Sequence, residues 1–291
     1  MRILKASIGL IILYLVFFVG DTSLSGCTKT EIEHDTVVTH VHDTVIHNVH
    51  DTTTIRDTIY DLESGLVAYY NFNGGNLNDS SGYNNNIAFN NATKTADRFG
   101  HSNNAYLFDG TNSYMRVSSS SSLNPDNITL FAIVKINGFN MNICHSNQIL
   151  GKGYPDYANG FYNLRFNDFS TSCISSPNIN NEIFSGEYGD NNPQGSDAGV
   201  GADTVFARTG EWYYIVYTYD GITAKLYING QLKNTAQKNV PFTDNSSDLY
   251  IGKHEDPPYP YYFNGIIDEI RIYNRALSSD EVINLNTLMG K

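Results

Sequence analysis

The chain has 291 residues, a formal net charge of −12 and only 16% charged side chains. The acidic balance excludes a partner held through a nucleic-acid backbone, which needs a basic face, and three cysteines exclude a disulfide scaffold. Calcium and neutral sugars stay compatible with that charge. With 21 Tyr and 15 Phe against one Trp, and with dense Asn and Gly, the composition favours strands and turns over helices.

In chain order, the first element is a targeting segment. Arg2 and Lys5 precede an apolar run over residues 8–19, too short for a transmembrane helix of about 20 residues but right for a secretory signal. Leu24-Ser25-Gly26-Cys27 follows and is similar to the bacterial lipobox. That likeness implies removal of residues 1–26 and lipidation of Cys27, with more than one acyl chain for stable membrane attachment. Cys144 and Cys173 are then the remaining pair in an oxidising compartment and the candidate disulfide.

Residues 27–63 read as a tether. His34-Asp35-Thr36-Val37, His42-Asp43-Thr44-Val45 and His50-Asp51-Thr52-Thr53 recur every eight residues. Val, Ile and Thr favour extended backbone, and too few apolar residues are present to bury a core. At about 3.3 Å per residue, such a spacer reaches on the order of 100 Å when fully extended. His34, His40, His42, His47 and His50 raise the question of zinc or copper, but a solvated spacer lacks the second shell that fixes a metal site.

From residue 64 to 291 short β-rich segments alternate with turns. Strands are expected over 66–72, 105–108, 114–117, 128–136, 148–152, 161–166, 204–207, 212–219, 223–228, 231–234, 249–252 and 266–273. Asn229-Gly230 predicts a type I′ hairpin. Only the end reads as helical, with Ser278 or Ser279 capping a helix through Val282, Leu285 and Leu288. The pattern predicts an all-β sandwich or barrel with a short C-terminal helix, and no parallel α/β sheet.

The order of the motifs carries a resemblance. The stretch 66–72 (Leu-Val-Ala-Tyr-Tyr-Asn-Phe), the loop Asn78-Asp79-Ser80-Ser81-Gly82, the turn Phe108-Asp109-Gly110 leading to Ser113-Tyr114, the strand from Gly210-Glu211-Trp212 to Tyr219-Asp220-Gly221, the hairpin Tyr227-Ile228-Asn229-Gly230 and the closing strand 265–278 with Asp268-Glu269 follow one another. Together they resemble LamG-like domains of the concanavalin A-like lectin/glucanase group. The resemblance implies a two-sheet antiparallel jelly-roll sandwich in which first and last strands are neighbours. The chain departs from the pattern at His145 and between Asp168 and Gly201, where a polar, Gly- and Asn-rich insertion stands.

Three chemistries are considered. The resemblance implies a structural calcium ion, with Asp79, Asn84, Asp109 and Asp268 as the matching oxygen donors; the alternative is that Asp79 and Asp109 shape Asx-turns and that Asp268 pairs with Arg271 or Lys253. Sugar binding asks for aromatic faces beside polar groups, and the candidates are Tyr154 and Tyr157 in one loop, Tyr188 in the insertion, and Tyr259, Tyr261 and Tyr262 in a Pro-stiffened loop. Glycoside hydrolysis needs two facing carboxylates. Asp268 and Glu269, as strand neighbours, are expected to face apart, Glu255-Asp256 share a Pro loop, and no nucleophile elbow is present. Cys144 and His145 are likewise strand neighbours that face apart, so no thiol–imidazole pair is expected.

The reading is a non-catalytic, lipid-anchored surface module that binds carbohydrate, or alternatively an adhesive or structural module that binds a surface protein. The membrane is touched through the lipid anchor only. Tether and lipobox suggest an outer-membrane lipoprotein of Bacteroidetes type, exposed at the cell surface or on the periplasmic face.

Overall fold

Strand β8 (Ile128–Gly138) explains the architecture, because it is apolar on both faces. Leu130, Ala132, Val134 and Ile136 point into one core cluster, while Phe131 and Ile133 point into another. The alternation of a strand thus supplies two cores, one between the sheets and one beneath a helix.

A computed structural model describes residues 45–51, 54–141, 146–153, 160–168, 178–190, 196–240, 244–255 and 257–290. In chain order its elements are β1 (Val45–Asp51), β2 (Thr54–Tyr60), β3 (Leu66–Tyr70), β4 (Ile87–Asn90), β5 (Thr93–Thr95), β6 (Ala105–Asp109), β7 (Met115–Val117) and then β8. They continue with β9 (Asn147–Lys152), β10 (Gly160–Asp168), β11 (Glu182–Asp190), β12 (Ser196–Asp197), β13 (Val200–Phe206), β14 (Trp212–Tyr219), β15 (Thr223–Ile228), β16 (Gln231–Gln237), β17 (Leu249–Ile251), β18 (Asn264–Tyr273) and α1 (Ser279–Met289).

Among the described residues, β1 and β2 pair with each other. The chain divides into two units, one of which holds residues 59–291 and the sandwich. Cys27, Cys144, Cys173, His145, Tyr154, Tyr157, Asp256 and the histidines at 34, 40 and 42 lie outside the described residues. Among those described, no helix is long and apolar enough to cross a membrane.

Among the described residues, two eight-stranded sheets form the sandwich. One runs β16-β15-β14-β8-β18-β6-β5 with β3 also on β18; the other runs β12-β11-β10-β9-β17-β7-β4 with β13 also on β11. The strand pairings described are antiparallel, and β3 lies against β18, so the first and last strands of the sandwich are neighbours. The hairpin between β15 and β16 has Asn229 at φ 53° and Gly230 at φ 76°, the two left-handed residues that a type I′ turn needs. Helix α1 starts at Ser278, whose hydroxyl accepts from Glu281 N while Glu281 closes the capping box. It lays Val282, Leu285 and Met289 on Phe131, Ile133, Val216 and Tyr273.

The insertion between Asp168 and Gly201 contributes β11 and β12 to the second sheet. Strand β11 was not anticipated. Its inward positions are Phe184, Gly186 and Tyr188, and the Gly places the Tyr217 ring where a Cβ would stand. A glycine at a core position hides the apolar alternation that marks a strand.

Candidate functional site

On the second sheet, Met115, Val117, Leu150, Tyr162, Leu164, Phe166, Phe184, Leu249 and Ile251 fill the core. The alternate residues face outward. They form a cross-strand row, Phe89–Arg116–Tyr250–Gly151–Asn163–Glu187, each paired with the next. A second row, Gln148–Arg165–Ser185, runs beside it.

One end of this face is aromatic. Phe89 stacks on Tyr114 at 4.8 Å, Tyr114 and Tyr250 lie 6.1 Å apart, and Lys253 Nζ sits 4.6 Å from the Tyr114 ring and 4.8 Å from that of Tyr250. Burial pulls the Lys253 ammonium down and pushes the Tyr250 hydroxyl up. The Pro-stiffened loop joins this end. Gln148 N donates to Tyr261 O at 2.9 Å and His254 N to Pro260 O at 2.6 Å, so the loop is pinned to the start of β9. Tyr259 stacks on Tyr261 at 6.1 Å and 21°, and Tyr259 and Phe89 are each 38% exposed. Tyr262 is half-buried, and burial pushes its hydroxyl up.

The other end is polar. Asn163 Nδ2 donates to Glu187 Oε2 at 2.8 Å and Arg165 pairs with Glu187, while at the aromatic end Arg116 Nη1 pairs with Asp248 Oδ2 at 2.7 Å. Gln148, Asn163 and Ser185 are all buried, yet Gln148 Oε1, Asn163 Oδ1 and Ser185 Oγ accept or donate nothing. A buried polar atom left unpaired costs about 1–3 kcal/mol, and native structures leave few of them without a reason. Three on one sheet face make a set of hydrogen-bonding atoms without partners, on the same face as the aromatic rings.

Of the tyrosines expected to bind ligand, Tyr261 is tied through its backbone to Gln148 at the start of β9, and Tyr259 stacks on Tyr261. Tyr188 is fully buried, its ring lies 4.8 Å from that of Tyr219, and its hydroxyl donates to Pro125 O and Asp126 O at 2.8 and 2.9 Å. The structure therefore corrects Tyr188 from ligand contact to core residue. The rows of outward residues on β9, β10, β11 and β17 were not read from sequence. The polar–apolar alternation Tyr162-Asn163-Leu164-Arg165-Phe166 was the signal for them.

The four residues matched to calcium do not converge. Asp79 spends its carboxylate on its own loop: Oδ1 accepts from Tyr69 N and Ser81 N, and Oδ2 from Asn85 N and Ser81 Oγ. Asp109 Oδ1 accepts from Thr111, Asn112 and Ser113 N. Burial opposes ionisation there, but the backbone donors outweigh it and hold the Asp109 carboxyl well below its ordinary value. Both residues shape turns. Asn84 is an exposed, left-handed turn residue at φ 61°. Asp109 pairs with Asn264, four residues and so about 13 Å along the strand from Asp268. Among the described residues, no three His, Cys, Asp or Glu side chains gather as metal ligands.

Asp268 also differs from expectation. Strand β18 carries a bulge against β8, with Ile267 opposite Val134 and Glu269 opposite Ile133, so Asp268 is the extra residue. Ile267 and Ile270 both enter the core, and Asp268 and Glu269 consequently face the same way. They line a cleft of about 240 Å³ together with Tyr69, Asn71, Asp97 and Arg98. Asp268 pairs with Arg98 at 2.9 Å rather than with Arg271 or Lys253, and Arg271 takes Glu269 at 2.6 Å. Burial pushes both carboxyls up, and the arginines offset it only in part.

The family described as the Concanavalin A-like lectin/glucanases superfamily (Laminin_G_3) matches residues 109–283, more than half of the chain. The chain belongs to this superfamily. Comparison with the curated proteins gives no match. Among solved structures, this superfamily member resembles the binding domain of Paraclostridial Mosquitocidal Protein 1, at 18% identity and TM-score 0.59, over 78% of this chain and 52% of that one. It resembles domain 4 of AbnA, a GH43 extracellular arabinanase from Geobacillus stearothermophilus in complex with arabinotriose, at 22% identity and TM-score 0.50, over 77% and 98%. It also resembles the binding domain of Botulinum Neurotoxin DC in complex with SialylT, at 13% identity and TM-score 0.55, over 78% and 52%. The chain spans about half the length of the toxin binding domains it matches. At such identities the likeness is one of fold, a two-sheet jelly roll.

Proposed function

We propose that this protein is a lipid-anchored, non-catalytic carbohydrate-binding module of the cell surface, and that the outer face of the β9-β10-β11-β17-β7 sheet receives the sugar. One observation carries the reading: the half-open rings of Phe89 and Tyr250, with Tyr114 beside both, share an outward row with Asn163, and Gln148, Asn163 and Ser185 on the same face each keep a polar atom without a partner. Sugar rings present apolar faces to aromatic rings and hydroxyls to side-chain amides. The cations Arg116 and Arg165 are each matched by a carboxylate, which favours a neutral glycan over an acidic one. The arabinotriose and SialylT complexes of the fold neighbours support the glycan class. The toxin neighbours being binding domains supports binding without cleavage. The signal segment and Cys27 support anchorage, and Cys27→Ala, by releasing the protein from the membrane fraction, tests it. A glycan array with the purified chain tests the ligand class. Signal on neutral glycans supports the reading, and a blank array together with capture of a surface protein favours the adhesive alternative.

A further inference from the structure

We propose that Arg98 is a built-in cation at the closing strand and holds this domain there in place of calcium. The inference does not use the glycan-binding face and stands or falls apart from it.

The place is created by topology. One edge of β18 pairs first with β6, over residues 264–267, and then with β3, over residues 270–273. Asp268 and Glu269 fall in the gap between those two short strands, and the bulge turns both carboxylates outward into it. Asp97 lines the same cleft. Three carboxylates in one small, largely buried space repel one another unless positive charge is supplied, and calcium is one solution to that problem.

Here guanidinium groups supply it. The Arg98 backbone N and its Nη1 both reach Asp268 Oδ2 at 2.9 Å. Its Nε donates to Met289 O at 2.9 Å, at the end of α1, and its guanidinium lies 4.5 Å from the Phe99 ring. Arg271 does the same for Glu269, with its guanidinium 4.2 Å from the Tyr69 ring. The Asp97 carboxylate accepts from Phe99 N, His101 N and Asn104 Nδ2, with His101 Nδ1 at 2.9 Å. Calcium takes six to eight oxygens, and the carboxylates of this cleft are engaged by nitrogen donors instead. Arg98 also ties three separate segments together: the loop before β6, the closing strand and the last turn of the helix. A loop-fixing ion would perform the same task.

The test is calorimetric melting of the full chain with added calcium and with excess chelator. The wild type is expected to melt at one temperature in both. Arg98→Ala is expected to melt roughly 10 °C lower and to recover part of that loss with calcium, because the freed carboxylates then accept an ion. Arg98→Lys keeps a cation and is expected to lose less and to ignore calcium, which keeps the idea testable if the alanine variant does not fold. A wild type that melts lower on chelation overturns the proposal. So does an Arg98→Ala protein that folds and ignores calcium, which reduces Arg98 to an ordinary ion pair.

Discussion

Ser185 and Glu182 sit on the same strand, and burial acts on the two side chains differently. Ser185 is 3% exposed and its hydroxyl has no partner. Removing such a group relieves its desolvation, so Ser185→Ala is expected to leave stability unchanged or raise it by up to about 1 kcal/mol, measured by denaturant unfolding, while weakening glycan binding. Glu182 is fully buried, and burial, followed by the charge of Asp168 opposite it, pushes its carboxyl from 4.5 to about 8. The folded state then holds a proton that the unfolded state releases, so stability is full below pH 4.5 and is lost as pH rises towards 8. Glu182→Gln is expected to flatten the fall in melting temperature between about pH 5 and 8, and an unchanged slope counts against the assignment.

Strands rich in apolar side chains were legible from sequence, and the strand interrupted by a core glycine was not. Residues 128–136, 212–219 and 223–228 were expected as strands and are strands, because apolar side chains mark their buried faces. The Ser278 cap and the Asn229-Gly230 hairpin were legible for the same local reason. Strand β11 escaped because Gly186 fills a core position beneath Tyr217. A Cβ there falls 2.3 Å from the Tyr217 ring, whose hydroxyl is tied to Ala198 O at 2.6 Å. Gly186→Ala is therefore expected to cost about 1–3 kcal/mol in chemical denaturation, and a neutral result would mean that this ring yields. The bulge in β18 was equally hidden. A one-residue insertion in the pairing reverses facing, and nothing in Ile267-Asp268-Glu269-Ile270 by itself reveals that the two acids share a side.

Across the whole molecule, the two sheets have different duties. The sheet around β8 and β18 is covered on its outer side by α1 and by the arginine-locked cleft, and carries the fold's closure. Among the described residues, the other sheet turns outward a row of side chains that no helix packs upon, with aromatic rings at one end and amides at the other. Sequence indicated the sandwich and the tyrosine loop, but the face proposed for the sugar is assembled from β7, β9, β10, β11 and β17, whose register only the fold supplies. The most direct measurement is isothermal titration of the protein with the best neutral oligosaccharide from a glycan array, arabinotriose included, for the wild type, Tyr250→Ala and Asn163→Ala. Binding by the wild type that weakens about tenfold or more in each variant, at unchanged melting temperature, is the predicted result. Binding that survives both substitutions, or no glycan binding by the wild type, contradicts it.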